Sequence, residues 1–393
     1  MTRRLGVLLF ALLLTVACGQ SNPSNEIVLG AIYPLSGPQA AGGKEELAGV
    51  QAALRVANAK VHLQVIDATT PKSAARAVDK LVNQYHVPAI LGTYGSTLSA
   101  AASARAEELK TVYWETGAVA DPITAHRHYV FRTVATGSSL GSMAVTFTHE
   151  VLVPQSQLSV PRAVVVRVSD IYGRSVGGGE EALAKADGIS VVDVIEYNPN
   201  AFDPNAIASR LAEDRADFLW DVSYLDDGVA IWNAVLNNEV SFKGAIGTSS
   251  AFCMPEFSAR LGARSVGVFA ADKPDAGINP DALSASGRAL LASAKAAYTG
   301  SSMDIPAVAG FVGGWTLFHD VLPNVGGSIN AESIRAAALR VDVPAGDSIN
   351  GGGVKFAGPG ALDEGQNTRS AAVVGQWQAV GVMKVVYPPT YAT

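Results

Sequence analysis

Cysteine and positive charge are both scarce in this chain. Only Cys18 and Cys253 occur among 393 residues, and Cys18 ends an N-terminal leader, so a framework of intrachain disulfides is excluded. Cys253, between Phe252 and Met254, is therefore predicted to be a buried apolar side chain. Lys and Arg number 29 against 35 Asp and Glu, and this mildly acidic balance argues against nucleic acid as a partner.

Sequence motifs of catalysis and nucleotide binding are also missing. Two glycine-rich stretches, SVGGGEEAL and NGGGVKFAGPG, have neither the GxGxxG spacing directly after a strand nor the pattern of a phosphate loop. The one close histidine pair, His126 and His128, has no HExxH context and no cysteine partner, which favours surface positions over metal ligation. No GxSxG nucleophile elbow occurs. We therefore expect no enzyme activity, no cofactor and no metal site.

The most apolar run lies at the N-terminus, where a basic start precedes residues 5–17. This run is too short to span a bilayer with such flanks and is typical of a secretory signal. The sequence TVAC at 15–18 resembles the bacterial lipobox, in which the cysteine receives a diacylglycerol; an ordinary signal peptide that happens to contain a cysteine is the alternative. We predict a signal peptide at 1–17 and a lipidated Cys18 with a flexible tether at 18–25, hence an extracytoplasmic bacterial protein anchored to the cell membrane.

Short apolar runs rich in β-branched residues recur along the rest of the chain, and each has the length of a strand buried on both faces. A first set begins near residues 27, 61, 88, 111 and 128, and a second set begins near residues 162, 191, 218, 243 and 266. Amphipathic segments such as GKEELAGVQAALRVANA separate the runs. The alternation predicts an α/β fold with parallel sheets covered by helices, and the chain is long enough for two lobes.

Polar side chains follow two neighbouring strands of the first set, where open parallel sheets bind their ligands. The first loop reads TYGSTLS: Gly95 permits a tight turn, and Ser96 and Thr97 come where the next helix should begin. The second loop reads YWETGAVADPIT. Hydroxyl groups and free backbone N–H groups at such a helix start suit a carboxylate, although Ser and Thr are also common there for purely structural reasons.

Several stretches together are similar to the leucine/isoleucine/valine-binding family of type I periplasmic binding proteins: IVLGAIYPLSGPQAAGG, PAILGTYGSTLSAAASARAEE, YVFRTVATGSS, SDIYGRSVGGG and GGGVKFAGPG. The resemblance covers residues 26 to 393 in the right order. It implies two Rossmann-like lobes joined by a three-segment hinge. It also assigns the tail, which periodicity alone leaves open. Lobe one would comprise 26–138 and 272–346, and lobe two would comprise 139–271 and 347–393.

The same resemblance implies where the ligand binds. In the family, hydroxyl and backbone donors of lobe one hold the ligand carboxylate, and by motif position these fall on Ser96 and on the loop from Thr116 to Ala118. A tyrosine of lobe two closes over the ligand, and Tyr172 and Tyr224 are the candidates. Neighbouring residues complete the predicted ligand-binding set, which is Tyr94, Gly95, Ser96, Thr97, Glu115, Thr116, Gly117, Ala118, Tyr172, Tyr224 and Asp226.

Two departures from the family pattern concern the ligand. Val119 stands where amino-acid binders usually have threonine, a hydroxyl that Thr116 would have to replace. The lobe-two loop that often carries an acid for the ligand ammonium has none before Glu256. Substitutes for that acid would be Asp221, Asp226 or Glu115. Because a buried ammonium without a partner is costly, an amide or small carboxylate is as open as a branched-chain amino acid.

The resemblance implies capture of a small polar solute by hinge closure, followed by delivery to the permease subunits of an ABC importer. A ligand-sensing lipoprotein that uses the same cleft for a signalling partner is the alternative. We expect a monomer, because closure needs freely moving lobes. The expected partners are the small-molecule ligand, the permease and, through the lipid at Cys18, the membrane.

Overall fold

The computed structural model describes residues 26–393, which form two α/β lobes. The signal peptide, the lipidated Cys18 and the tether lie outside the described residues. The first lobe is built on a five-stranded parallel sheet with the order β2-β1-β3-β4-β5. Its strands are β1 (Ile27–Tyr33), β2 (Val61–Asp67), β3 (Ala89–Gly92), β4 (Val112–Glu115) and β5 (Val130–Arg132).

Six helices cover this sheet, three from the N-terminal part of the chain and three from the tail. They are α1 (Ala40–Ala57), α2 (Pro71–Tyr85), α3 (Ser96–Glu108), α10 (Ala285–Ala297), α11 (Ile305–Trp315) and α12 (Ala331–Ala338). The helices α1 and α11 pack closely, and the absence of a side chain at Gly310 permits this approach. A Cβ atom at that position would come within 2.0 Å of the Glu46 carbonyl oxygen. This close approach ties the tail to the first lobe and fixes the backbone around Glu46.

The second lobe is built on a seven-stranded sheet with the order β12-β11-β10-β9-β8-β6-β7. Its strands are β6 (Arg162–Val168), β7 (Ser190–Tyr197), β8 (Phe218–Val222), β9 (Gly244–Thr248), β10 (Phe269–Asp272), β11 (Val373–Ala379) and β12 (Val382–Tyr387). The accompanying helices are α4 (Gly137–Phe147), α5 (Val153–Ser156), α6 (Ile171–Ala186), α7 (Pro204–Asp214), α8 (Leu225–Asn237) and α9 (Pro255–Leu261). The predicted α/β fold with parallel sheets in two lobes is thus confirmed.

The C-terminal end of the chain folds as an antiparallel hairpin, β11 with β12, which adds to the edge of an otherwise parallel sheet. Its chain reversal uses Gly381 at a φ of 72°. Three residues after the predicted boundary at 346, namely Ile349, Val354 and Phe356, pack in the core of the first lobe, so the packing crosses that boundary.

One described helical stretch, Ile305–Asn324, is apolar and long enough to cross a membrane by length and composition. Of its most apolar window, 83% is buried inside the protein. It contacts α1 through Phe311 and Val308 in the core of the first lobe. The stretch is therefore a core helix, which needs an apolar surface on nearly every side.

Candidate functional site

A pocket lies between the two lobes, at the carboxyl ends of strands from both sheets. It has about 470 Å³ of empty space, part of it open to solvent, which lies within the usual range for small-molecule sites. The first lobe contributes Glu46, Tyr94, Ser96, Gly117, Ala118, Val119, Ile305, Pro306 and Ala309. The second lobe and the crossing after β10 contribute Tyr172, Tyr224, Ser249, Ser250, Cys253, Met254, Asp272 and Lys273.

The start of α3 forms one wall of this pocket. Gly95 is the N-cap residue, and the helix begins at Ser96 as the sequence indicates. The Ser96 hydroxyl oxygen accepts a hydrogen bond from the Ala120 N–H at 3.2 Å, which leaves its own proton free for a ligand. The first backbone N–H groups of the helix have no partner within the helix itself, so this wall can hold a carboxylate.

The loop after β4 is organised by Glu115, which points away from the pocket. Its carboxylate accepts hydrogen bonds of 2.7 Å from the N–H groups of both Gly117 and Ala118, and a further one from the Ser99 hydroxyl. Burial raises the pKa of Glu115 to about 7, although these donors and Arg132 favour the charged form. Two backbone donors predicted to hold the ligand are therefore occupied by Glu115 in this structure.

The Thr116 hydroxyl was predicted to replace the threonine hydroxyl that is missing at Val119, but in this structure it is bonded to Glu46. The Thr116 hydroxyl donates to Glu46 Oε1 at 2.5 Å and accepts from the Tyr33 hydroxyl at 2.8 Å. All three side chains are fully buried. Thr116 does not line the pocket, whereas Val119 does. In this structure the Thr116 hydroxyl is therefore bonded to Glu46 and Tyr33, so its replacement of the missing threonine hydroxyl stays a prediction.

Two tyrosines form the opposite wall. Tyr172 and Tyr224 lie with ring centroids 5.2 Å apart at the starts of α6 and α8. The Tyr172 hydroxyl donates to the Thr248 carbonyl oxygen and the Tyr224 hydroxyl donates to Asp170 Oδ2, each at 2.7 Å. Burial raises the pKa of both well above the usual range, so both are neutral donors with apolar ring faces.

Direct hydrogen bonds join the lobes around the pocket. The Tyr94 hydroxyl lies 3.4 Å from the Ser250 hydroxyl oxygen, and the Thr97 hydroxyl donates to Asp170 Oδ2 at 3.1 Å. Tyr94 and Thr97 belong to the first lobe, whereas Ser250 and Asp170 belong to the second. The two walls of the pocket therefore touch each other directly in this structure.

A buried ion pair lies where the chain leaves β10 for the first lobe. Lys273 Nζ is 2.8 Å from Asp272 Oδ1, and the two side chains are only 9% and 4% exposed. The Lys273 backbone N–H donates to the same carboxylate oxygen at 2.7 Å. Such a pair is tolerated in a low-dielectric site only because each charge compensates the other.

Of the eleven predicted site residues, the pocket brings together Tyr94, Ser96, Gly117, Ala118, Tyr172 and Tyr224. Gly95, Thr97, Glu115 and Thr116 lie directly behind its walls. Asp226 does not belong there: it lies on the exposed side of α8 and pairs with Arg260 at 2.5 Å. Contact of any of these residues with a ligand stays a prediction.

Glu46, Asp272 and Lys273 were not anticipated from the sequence. Glu46 stands among the apolar positions of α1, and its neighbours Lys44 and Glu45 resemble an ordinary solvated face. Asp272 and Lys273 look like the polar end of a strand. Asp272 and Lys273 are buried beside α11, which comes later in the chain, so no local sequence pattern predicts their burial. Within residues 26–393 no group of three metal-ligating side chains is arranged to hold an ion.

Comparisons with known proteins agree with this architecture. The profile of the family described as "Periplasmic binding protein" matches residues 26–379. The chain is 29% identical to Leu/Ile/Val-binding protein homolog 8 of Brucella abortus, over 99% of this chain and 95% of that one.

Two solved structures share the fold at low sequence identity. One is the branched-chain amino acid transporter substrate-binding protein of Streptococcus pneumoniae in complex with isoleucine, with a TM-score of 0.75, 18% identity and coverage of 92% of this chain and 100% of that chain. The other is a solute-binding protein of an ABC transporter from R. palustris in complex with 4-hydroxybenzoate, with a TM-score of 0.75, 17% identity and coverage of 94% and 95%.

Proposed function

We propose that this chain, which belongs to the periplasmic binding protein family, is the extracytoplasmic substrate-binding lipoprotein of an ABC importer. The observation that carries the proposal is the pocket between the lobes, lined by both of them and closed by direct contacts. Such a site is suited to binding a solute and releasing it unchanged. The family consists of solute-binding proteins and not of enzymes.

The proposed ligand is a small amino acid or carboxylic acid. Support comes from the start of α3, where Ser96 and the first backbone N–H groups can hold a carboxylate. The tyrosine rings with Val119 and Met254 offer an apolar surface for the rest of the molecule. The complexes with isoleucine and 4-hydroxybenzoate, formed by proteins of the same fold, make both ligand types reasonable candidates.

The proposed mechanism is closure of the two lobes about the crossings between them. The ligand binds first to Ser96 in the open cleft, and the second lobe then brings Tyr172 and Tyr224 over it. Groups such as Thr97 and Asp170 would separate when the cleft opens and pair when it closes. Binding of ligand to both walls favours the closed form, which a permease can distinguish from the open one.

Lipidation of Cys18 would keep the binding protein beside that permease. Support comes from the lipobox-like sequence at 15–18. The test is Cys18→Ser in the full-length protein expressed in a bacterial host. We expect the wild type to partition into the detergent phase and the variant to appear in the aqueous phase; a variant that still partitions into detergent would contradict the anchor.

Thermal unfolding of residues 19–393 tests the binding function. The probes are the branched-chain amino acids, short amides, and small aliphatic and aromatic carboxylates. A ligand at one hundred times its dissociation constant should add about 2.7 kcal/mol of stability. Ser96→Ala should abolish most of that shift. The matched control is Ser103→Ala, which removes a buried hydroxyl from the same helix outside the pocket and should keep it. If no probe stabilises the wild type, the proposed ligand class is wrong.

A further inference from the structure

We propose that Glu46 binds the ligand directly, its carboxylate Oε2 accepting a hydrogen bond from a ligand ammonium group. This inference rests on the proposed function and deepens it, because it selects zwitterionic amino acids over plain carboxylates. It also places the negative partner of the ligand ammonium on the first helix of the first lobe. Amino-acid binders of the family often supply this partner from the second lobe.

The first observation is an unsatisfied oxygen. Glu46 has no solvent exposure, and its Oε1 is held by the Thr116 hydroxyl. Its other oxygen, Oε2, is buried and has no hydrogen-bond partner among the described residues. Glu46 lines the pocket. A buried carboxyl oxygen without a donor is costly, so a ligand that supplies the donor gains the free energy that the empty site loses.

The second observation is that the orientation of Glu46 is fixed by its surroundings. A side chain at Gly117 would come within 1.8 Å of Glu46 Oε2, so the carboxyl group lies directly against the backbone of that glycine. The Tyr33 hydroxyl holds Thr116, which in turn holds Oε1. Two buried hydroxyl groups and a glycine therefore position one free oxygen at the pocket wall, which is how a binding residue is pre-organised.

The third observation is the charge balance of the pocket. Its ionisable lining residues with formal charge are Glu46, Asp272 and Lys273. Lys273 and Asp272 already form a close pair. Glu46 is therefore the carboxyl group left without a cation. A ligand with a positive group matches the charged form of that residue, whereas a ligand that brings only a carboxylate supplies no counter-ion for it.

The pocket also has separate regions for the two ends of an amino acid. The anion-binding donors belong to Ser96 and the start of α3. The N–H groups of Gly117 and Ala118, beside Glu46, are occupied by Glu115 and do not attract an anion at that position. A carboxylate at Ser96 and an ammonium at Glu46 thus occupy neighbouring parts of one wall.

The inference also predicts how ligand affinity changes with pH, because the ammonium binds the charged form of Glu46. Burial raises the pKa of Glu46 well above its usual range, Glu115 raises it further, and Thr116 and Lys273 oppose the shift. Tyr33 and Tyr94, the other ionisable groups facing it, are kept neutral by their own raised pKa values. The empty pocket therefore favours protonated Glu46, and an ammonium that binds the charged form must displace the proton. Affinity should rise as the pH rises towards the pKa of Glu46.

The test is isothermal titration calorimetry of residues 19–393 with two pairs of probes that differ only in the ammonium group. The pairs are L-leucine with 4-methylpentanoate and L-phenylalanine with 3-phenylpropanoate. Titrations in phosphate and in Tris separate proton release from the heat of binding. We expect an amino acid to bind at least about tenfold more tightly than its partner, with release of protons and with affinity increasing with pH.

Glu46→Gln should lower the affinity for the amino acid about tenfold or more and abolish the proton release. Glu180→Gln is the matched control, because Glu180 is equally buried and also has an unpaired Oε2, but lies outside the pocket. That variant should bind like the wild type. If Glu46→Gln does not fold, the release of protons when the wild type binds an amino acid still tests the inference.

Three results would overturn the inference. Unchanged affinity in a folded Glu46→Gln variant would remove Glu46 from the site. Tighter binding of the carboxylates, without release of protons, would mean that Glu46 acts as a neutral donor; the proposed function would then stand while the ammonium assignment fails. Absence of binding by all four probes would overturn both the proposed function and the role of Glu46 for these ligands.

Discussion

The Thr97 hydroxyl of the first lobe donates a hydrogen bond to Asp170 Oδ2 of the second lobe at 3.1 Å. The same oxygen accepts from the Tyr224 hydroxyl, and Asp170 Oδ1 accepts from the N–H groups of Tyr172 and Gly173. Asp170 therefore holds both tyrosines of one pocket wall and joins them to the opposite wall. Its contacts connect the position of the lobes with the shape of the pocket.

Replacement of Thr97 by valine should weaken ligand binding with little effect on folding. The variant loses a hydrogen bond between the lobes, which in the proposed mechanism is broken when the cleft opens. One such bond contributes about 0.5–1.5 kcal/mol. We expect the dissociation constant measured by calorimetry to increase severalfold while the denaturant midpoint changes little. Thr97→Ser, which keeps the hydroxyl, should retain wild-type affinity. Equal affinities for wild type and Thr97→Val would show that this contact does not stabilise closure.

Replacement of Thr116 by valine should lower stability. The valine fills the same volume but leaves Glu46 Oε1 and the Tyr33 hydroxyl without a partner inside the protein. An unsatisfied buried polar group costs about 1–3 kcal/mol. Urea unfolding should therefore show a loss in this range, and Thr116→Ser should recover most of it. A variant as stable as the wild type would mean that water or another group replaces the hydroxyl.

Lys273→Met should destabilise the protein more strongly. Removal of one partner leaves the Asp272 carboxylate buried and uncompensated, which costs about 3–5 kcal/mol. The double variant Asp272→Asn with Lys273→Met should recover much of the lost free energy of unfolding, because the uncompensated charge is gone. A double variant less stable than Lys273→Met alone would contradict this explanation and would point to an independent role for Asp272.

The stability of the protein should also depend on pH through Glu180. Burial raises the pKa of Glu180 from its usual value of 4.5 to about 8. Between these values the folded state holds a proton that the unfolded state releases, so the contribution of Glu180 to stability is present below pH 4.5 and is lost as the pH rises to about 8. Glu180→Gln should become more stable relative to the wild type across this window. A difference in stability between Glu180→Gln and the wild type that does not change with pH would contradict this prediction.

The fold could be predicted from the sequence because its strands are buried on both faces. The five residues of β8, FLWDV, are all buried, and the whole of β4 is buried as well. Such strands give continuous apolar runs that stand out against the amphipathic helices. The turn of the final hairpin could not be located from the sequence, because Val380 and Gly381 lie inside one apolar stretch where the alternation of buried and exposed residues is weak.

The candidate site could be predicted only in part. Ser96 and the two tyrosines follow strands directly, so their place at the sheet edge follows from local sequence. Glu46 was missed because its role depends on Gly117, which is distant in the sequence and lets the carboxyl group approach the loop. Asp226 was predicted because it follows a strand of the correct edge, but the structure places its side chain in solvent, paired with Arg260 and outside the pocket.

The central claim is that a small ligand is captured by closure of the two lobes. Double electron–electron resonance measures this directly, with spin labels at Lys72→Cys on the first lobe and Ser209→Cys on the second, both exposed positions. With the ligand identified by thermal unfolding, the account predicts a broader distribution of longer distances without ligand and one narrow, shorter distance at saturation. Identical distributions with and without saturating ligand would contradict it.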